Sequence, residues 1–296
     1  MQIALHSRKL EKGRLFFTKT VIDHLLSKNF QVFVSEEFYS SFCDRLENTP
    51  DLPTFSSYED LPKVDFFLSV GGDGTLLDSI TYIRDSNIPI IGINAGRLGF
   101  LASIPQDLAA NALDAIFAGK YNLEERMLIQ VESDQEIFSG ENVGLNEFSL
   151  FKRDTSSMIV IHSFLDGKYL NTYWSDGLVI ATPTGSTGYS LSIGGPVVIP
   201  TLQNFIIAPI SPHNLNVRPL IIPCTSELSF KVESRSKNFM VSMDSRSQIV
   251  DSSIKLTVKK CPYSIQLVHT KDDDFLNTLR VKLNWGLDIR NYPNKF

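Results

Sequence analysis

Apolar positions along the first hundred residues come in two rhythms. "IAL" (Ile3 to Leu5), "QVFV" from Gln31, "VDFFLSV" from Val64 and "IPIIGIN" from Ile88 to Asn94 are short, near-continuous runs, the pattern of strands buried on both faces. Between them, "FFTKTVIDHLLSKNF" sets Phe17, Val21 and Leu25 on one helical stripe, and past Gly74 the residues Leu76, Ile80 and Ile83 share another. Strands alternating with helices predict an α/β domain with a Rossmann-like parallel sheet over residues 1–124, closed by a helix in "DLAANALDAIF". From Leu128 to Val268 the texture changes to runs such as "LIQVES", "GLVIATP", "ELSFKVES" and "SIKLTVKK" separated by turn residues. Helical periodicity is nearly absent there, so residues 125–268 are expected to form a β-rich C-terminal domain. The remaining 269–296 carries one short amphipathic helix in "TKDDDFLNTLRVKLNWGLD", expected to fold back on the first domain.

Composition narrows the classes. At 296 residues the chain is long enough for two domains with their own cores, and 43% hydrophobic with 21% charged residues is ordinary for a globular protein. A formal charge of -5 offers no basic surface for nucleic acid, so any polyanionic ligand must be held by local features. Cys43, Cys224 and Cys261 are odd in number and far apart, which fits neither a disulfide framework nor a zinc site and points to the cytoplasm. The start of the chain lacks a cleavable leader pattern and no long apolar run occurs, so no membrane association is expected.

Candidate chemistry begins at "FLSVGGDGTLL", where a strand feeds Gly71 and Gly72, then Asp73, Gly74 and Thr75, then a helix. Glycines at a strand-to-helix turn let backbone N–H groups approach a phosphate, which makes Gly71, Gly72, Gly74 and Thr75 candidates for binding one. The plainer alternative is a tight turn in which Asp73 or Thr75 caps the helix. A carboxylate inside a phosphate cradle should repel its ligand, so Asp73 asks for a reason. A second cluster, "SDGLVIATPTGSTGYSLSIGGP" from Ser175 to Pro196, is dense in hydroxyls, with Gly185 and Gly188 open to close approach and Tyr189 offering an aromatic plane. Hydroxyls satisfying their own backbone are the alternative there. In "GLNEF", Asn146 and Glu147 can serve one ligand only if the strand ends or bulges between them. His213 and Arg218 in "SPHNLNVRP" read as structural, and the acidic run Asp272 to Asp274 as solvated. No metal-ligand spacing is present, so no metal site is assigned to side chains.

Taken in order, Gly71 to Thr75, "NAGRLGFL" from Asn94 to Leu101, Asn146 with Glu147, Asp176 to Pro196, "SPHNLNVRP" and "MDSR" resemble the NAD kinase family. The resemblance covers roughly residues 64 to 246 and implies ATP- and Mg²⁺-dependent phosphorylation of the adenosine ribose 2'-hydroxyl of NAD to give NADP. It implies that Asp73 is the general base and, with Gly74, lies against NAD. It implies NAD contacts from Asn146, Glu147, Asp176, Thr184, Thr187, Gly188, Tyr189, Ser192 and Arg246, with Asp176 donated to a neighbouring subunit, and a homodimer or homotetramer. Gly188 stands where many relatives have alanine, Trp174 and Asp78 where a basic residue is frequent, and Arg246 where glutamine is common. Two other readings share the Gly-Gly-Asp-Gly-Thr turn: a lipid or sugar kinase, and a module that senses NAD or NADP without turnover.

Overall fold

The computed structural model describes residues 1–8, 12–45, 49–96, 99–153, 157–270 and 274–285. The chain divides into two compact units, one of Met1–Ile83, Ile88–Glu124 and Gln266–Phe296, the other of Arg84–Asn87 and Glu125–Ile265. Among the described residues no helix is long and apolar enough to cross a membrane.

In the first unit the elements run β1 (Gln2–His6), α1 (Lys12–Ser27), β2 (Gln31–Ser35), α2 (Glu36–Cys43), β3 (Thr54–Phe55), β4 (Phe66–Gly71), α3 (Asp73–Ile83), β5 (Ile90–Asn94), β6 (Ile104–Pro105) and α4 (Ala109–Phe117). The strands lie in the order β3-β2-β1-β4-β5, all parallel, with β6 parallel beside β5. Every residue of β4 and β5 is buried, which is why their sequence reads as an unbroken apolar run rather than an alternation. Helices cover the sheet through Leu15, Val21, Ile22 and Leu25 of α1, Phe38 and Phe42 of α2, and Leu113 and Ile116 of α4. The strand order reverses between β1 and β4. In open parallel sheets the crevice beyond the carboxyl ends at such a reversal is where ligands bind. Two chain segments leave the sheet there: Ser7 and Arg8 after β1, and Gly72 and Asp73 after β4.

The second unit is built from β7 (Asn122–Ser133), β8 (Val143–Gly144), β9 (Glu147–Phe151), β10 (Ile159–Leu165), β11 (Lys168–Ser175), β12 (Gly177–Ala181), α5 (Tyr189–Ser192), β13 (Asn204–Ile210), β14 (Leu220–Pro223), β15 (Leu228–Glu233), β16 (Asn238–Met243), β17 (Arg246–Asp251) and β18 (Leu256–His269). One antiparallel sheet has the order β14-β13-β12-β9-β16-β17. A second places β11, β10, β15 and β18 side by side, with β7 pairing β18 and β8. Phe148, Leu178, Ile180 and Phe239 from the first sheet meet Ile161, Tyr173, Phe230 and Val258 from the second in one core. The opposite face of β12 and β13 is covered as well, by Ile193 and Val198, so all of "GLVIA" is buried. The last residues of β18 belong to the first unit, where Leu267 lies parallel to Ile90. That unit ends in α6 (Phe275–Leu283), whose N-cap Asp274 accepts the Leu276 N–H at 3.0 Å. Asp272 and Asp273 lie outside the described residues.

Candidate active site

In the first unit, β4 and β5 end together: Gly71 pairs with Asn94, and the Ala95 N–H donates to the Gly71 carbonyl at 2.9 Å. The loop after β5 is folded back tightly. Asn94 Oδ1 accepts the Gly96 N–H at 2.7 Å, Asn94 Nδ2 donates to the Ala102 carbonyl, and a Cβ on Gly92 would fall 2.9 Å from Ala102 Cα. Arg97 and Leu98 of this segment lie outside the described residues.

That loop presents its N–H groups to Asp73, the first residue of α3. Asp73 Oδ1 accepts from Leu101 at 3.0 Å and Ala102 at 3.1 Å, and Oδ2 accepts from Phe100 at 2.9 Å. The side chain does not cap its own helix; it is bound to the loop instead. A carboxylate offers about four lone-pair sites, so three N–H groups leave one, on Oδ2. With 31% of the side chain exposed, that site is open to a ligand. Gly99 is needed for this contact, because a Cβ there would lie 1.8 Å from Asp73 Oδ1. At Gly72, by contrast, a Cβ would meet nothing within 4 Å. Gly72 faces open space at the mouth of the turn.

Among the described residues Arg8 and Lys282 flank this turn, and neither is marked by a motif. Arg8 makes a two-pronged ion pair with Asp78 one turn into α3, Nη2 to Oδ1 at 2.7 Å and Nε to Oδ2, and its Nη1 lies 2.9 Å from where a Cβ on Gly74 would stand. Burial works to raise the Asp78 carboxyl, yet the approach of His6 and the hydrogen bonds and charge of Arg8 outweigh it and hold the group at about 2. The acidic residue at position 78 is thus neutralised by Arg8, from the segment that follows β1. Lys282 of α6 brings its Nζ to 3.8 Å from Asp73 Oδ2 and 4.6 Å from the centroid of the Phe100 ring. Arg8 has the signal of following the first strand at its carboxyl end. Lys282 shares a helical face with Phe275 and Leu279, an unusual place for a lysine.

In the second unit the chain between β8 and β9 breaks at Leu145 and Asn146, which lets Asn146 and Glu147 turn toward one place. Asp244, partly buried, fixes this break by accepting N–H bonds from Leu145 at 2.7 Å, Asn146 at 2.9 Å and Glu147 at 3.0 Å. The turn Thr184–Thr187 is seated against the same break. Thr182 N–H donates to the Asn146 carbonyl at 2.8 Å, its hydroxyl donates to the Leu145 carbonyl, and a Cβ on Gly185 would lie 2.1 Å from the Asn146 carbonyl oxygen. At Gly188 a Cβ would lie 3.1 Å from Glu147 Oε2 and 3.4 Å from Asn146 Nδ2, so the glycine keeps those two polar ends accessible to each other. Glu147 Oε2 is buried without a hydrogen-bond partner among the described residues. Burial and the neighbouring Asp244 push the Glu147 carboxyl up to about 8 against the pull of the Tyr189 N–H. Burial likewise raises Asp244, opposed by its three N–H donors and Arg246.

Asn146, Glu147, Thr184, Gly188 and Tyr189 therefore form one cluster. The hydroxyl density overstated the free donors: Thr187 donates to the Thr184 carbonyl at 3.2 Å and Ser186 to the Val198 carbonyl at 3.2 Å. Thr184 Oγ1 accepts from the buried Arg126 at 3.2 Å, a residue with no sequence signal of its own. Tyr189 is 39% exposed and rests against Phe151, 5.9 Å between centroids. Asp176 precedes β12 while Thr182 follows it, about 20 Å apart along the strand, and Asp176 is paired with Lys152 at 2.6 Å. Arg246 reaches the carbonyls of Glu141 and Val143, so it braces the chain leading into the break. Trp174 is 56% exposed, and its carbonyl accepts the His213 N–H at 2.8 Å.

A parallel sheet with a Gly-rich turn at its order reversal, joined in one chain to an antiparallel β unit with a polar cluster, is a build that suits nucleotide binding. Residues 3–121 match the family described as ATP-NAD kinase N-terminal domain, and residues 145–270 the ATP-NAD kinase C-terminal domain. The NAD kinase of Cytophaga hutchinsonii is 50% identical over 98% of this chain and 100% of its own length, and that of Flavobacterium psychrophilum 42% over the same shares. Among solved structures, an NAD kinase from Archaeoglobus fulgidus in complex with ATP has a TM-score of 0.71 at 26% identity, covering 96% of this chain and 99% of that one. Yeast NADH kinase complexed with NADH shares the fold at a TM-score of 0.85 and 22% identity, covering 97% and 89%. The chain belongs to the NAD kinase family, whose enzymes phosphorylate NAD in NADP biosynthesis.

Proposed function

We propose that the protein transfers the γ-phosphate of MgATP to the adenosine ribose 2'-hydroxyl of NAD, with Asp73 as general base. The observation that carries this reading is the Asp73 carboxylate itself, oriented by three backbone N–H groups at the head of α3 and left with one lone-pair site on Oδ2. A base must lie within hydrogen-bond reach of the proton it removes, which answers why a carboxylate sits among phosphate-binding groups. The divalent cation enters with the triphosphate and offsets the repulsion. Backbone groups of Gly71, Gly72, Gly74 and Thr75 cradle the donor phosphates. Asn146, Glu147, Thr184, Thr187, Gly188, Tyr189 and Ser192 hold NAD, and Arg246 acts by bracing the chain before Asn146. Asp176, at the far end of β12 from Thr182, contacts the nicotinamide side of a neighbouring subunit's NAD.

The test is NADP formation by the purified protein with NAD, ATP and Mg²⁺, beside Asp73→Asn. Wild-type turnover is expected to fall about 10²- to 10⁴-fold in the variant, the usual worth of a general base. Near-normal turnover in Asp73→Asn removes the base. NAD binding with no NADP formed by wild type would instead favour a sensing module.

A further inference from the structure

We infer that Lys282, delivered by the C-terminal helix, is a contact for the donor triphosphate and so part of the phosphoryl-transfer site. This deepens the kinase reading and rests on it. Lys282 Nζ stands 3.8 Å from Asp73 Oδ2, the one oxygen of that carboxylate with a site to spare, and over the face of Phe100 at 4.6 Å. Phe100 supplies the N–H that holds the same oxygen. The ammonium therefore lies beside the partly exposed oxygen of the Asp73 carboxylate.

Its placement is not explained by stability. An ion pair at 3.8 Å between side chains 30% and 31% exposed contributes little to folding. A cation in the last turn of a helix favours the helix dipole whichever way it points. Here it points along the docked face of α6, the face on which Thr278 and Leu279 are buried and Phe275 meets Phe100 at 6.2 Å between centroids. At 3.8 Å the ammonium is beyond hydrogen-bond length from Asp73, and among the described residues it makes no hydrogen bond. Its three donors are available to an anion. Arg8, the other cation at this turn, is committed to Asp78 through two of its nitrogens. Among the described residues Lys282 is thus a cation at the Asp73 carboxylate that is free to meet phosphate oxygens, and its charge offsets the repulsion that Asp73 would otherwise exert on them.

The experiment compares wild type, Lys282→Met and Lys282→Arg in steady-state kinetics, thermal melting and calorimetric binding of Mg²⁺-tripolyphosphate. In Lys282→Met the KM for ATP is expected to rise about tenfold or more, as loss of a charged hydrogen bond implies, with the KM for NAD within about twofold. Tripolyphosphate binding weakens in parallel, the melting temperature stays near wild type, and Lys282→Arg recovers most of the loss. An unchanged KM for ATP with unchanged tripolyphosphate binding overturns the inference. So does an equal rise in both KM values accompanied by a lower melting temperature, which would mark Lys282 as a helix-docking residue. If wild type forms no NADP, the kinase reading fails, while the tripolyphosphate measurement still decides the role of Lys282.

Discussion

At the scale of single residues, the most informative group is Glu147. Its carboxyl stands at about 8 in the folded protein against an ordinary 4.5, because burial and Asp244 disfavour the charged form. Between those values the folded protein keeps a proton that the unfolded chain has released. Its contribution to stability is therefore fully present below about pH 4.5 and is lost as pH rises through about 8. The loss is on the order of a few kcal/mol, at roughly 1.4 kcal/mol per pKa unit. Urea midpoints are expected to fall from pH 5 to pH 9 in wild type. In Glu147→Gln much of that slope should disappear, Asp244 retaining a dependence of the same sign. The same variant should raise the KM for NAD, since Oε2 is a buried polar atom with no hydrogen-bond partner among the described residues. An unaltered pH slope would show that Glu147 titrates normally, and an unaltered KM would remove it from the NAD site.

At the scale of elements, the Gly-rich turn after β4 is a contact between two loops as much as a strand followed by a helix. The turn after β4 supplies Asp73 and the loop after β5 supplies the N–H groups that hold it, with Gly99 as the close approach. Two alanines separate folding from ligand binding. Gly99→Ala places a methyl 1.8 Å from Asp73 Oδ1, so the carboxylate must move, and activity should drop as in Asp73→Asn. Gly72→Ala meets nothing within 4 Å, so the melting temperature should hold. If donor phosphates lie on that backbone, Gly72→Ala will nonetheless weaken ATP binding; unchanged ATP kinetics would move the phosphates elsewhere. The turn was legible from its glycines, because close approach leaves a compositional mark. The partner loop's N–H groups were not, because any residue except proline supplies one.

At the scale of the whole chain, what could be read in advance followed how local its cause was. Strands buried on both faces leave unbroken apolar runs, so the α/β and β-rich stretches were visible as changes of rhythm. Pairings over long sequence separations leave none: Arg8 with Asp78, Asp244 beneath Leu145 to Glu147, and Lys282 beside Asp73 were found only in the fold. Edges of sheets are intermediate, since an edge strand is known only once the order is known. The six-stranded sheet ends at β14, where Leu220 is 40% and Ile221 50% exposed, with Leu215 nearby in sequence at 82%. An apolar edge with unpaired backbone is a template for another chain, and the family resemblance implies a homodimer or homotetramer. The occupant expected is a second copy of this chain. Sedimentation at micromolar concentration should give at least a dimer, and Ile221→Glu should shift it toward monomer by burying a charge in the contact. A wild-type monomer would reject the assembly, and an unaffected Ile221→Glu oligomer would place the contact on another edge. Because Asp176 lies at the other end of β12 from the Glu147 cluster, dissociation by Ile221→Glu should also raise the KM for NAD if a neighbouring subunit supplies that carboxylate.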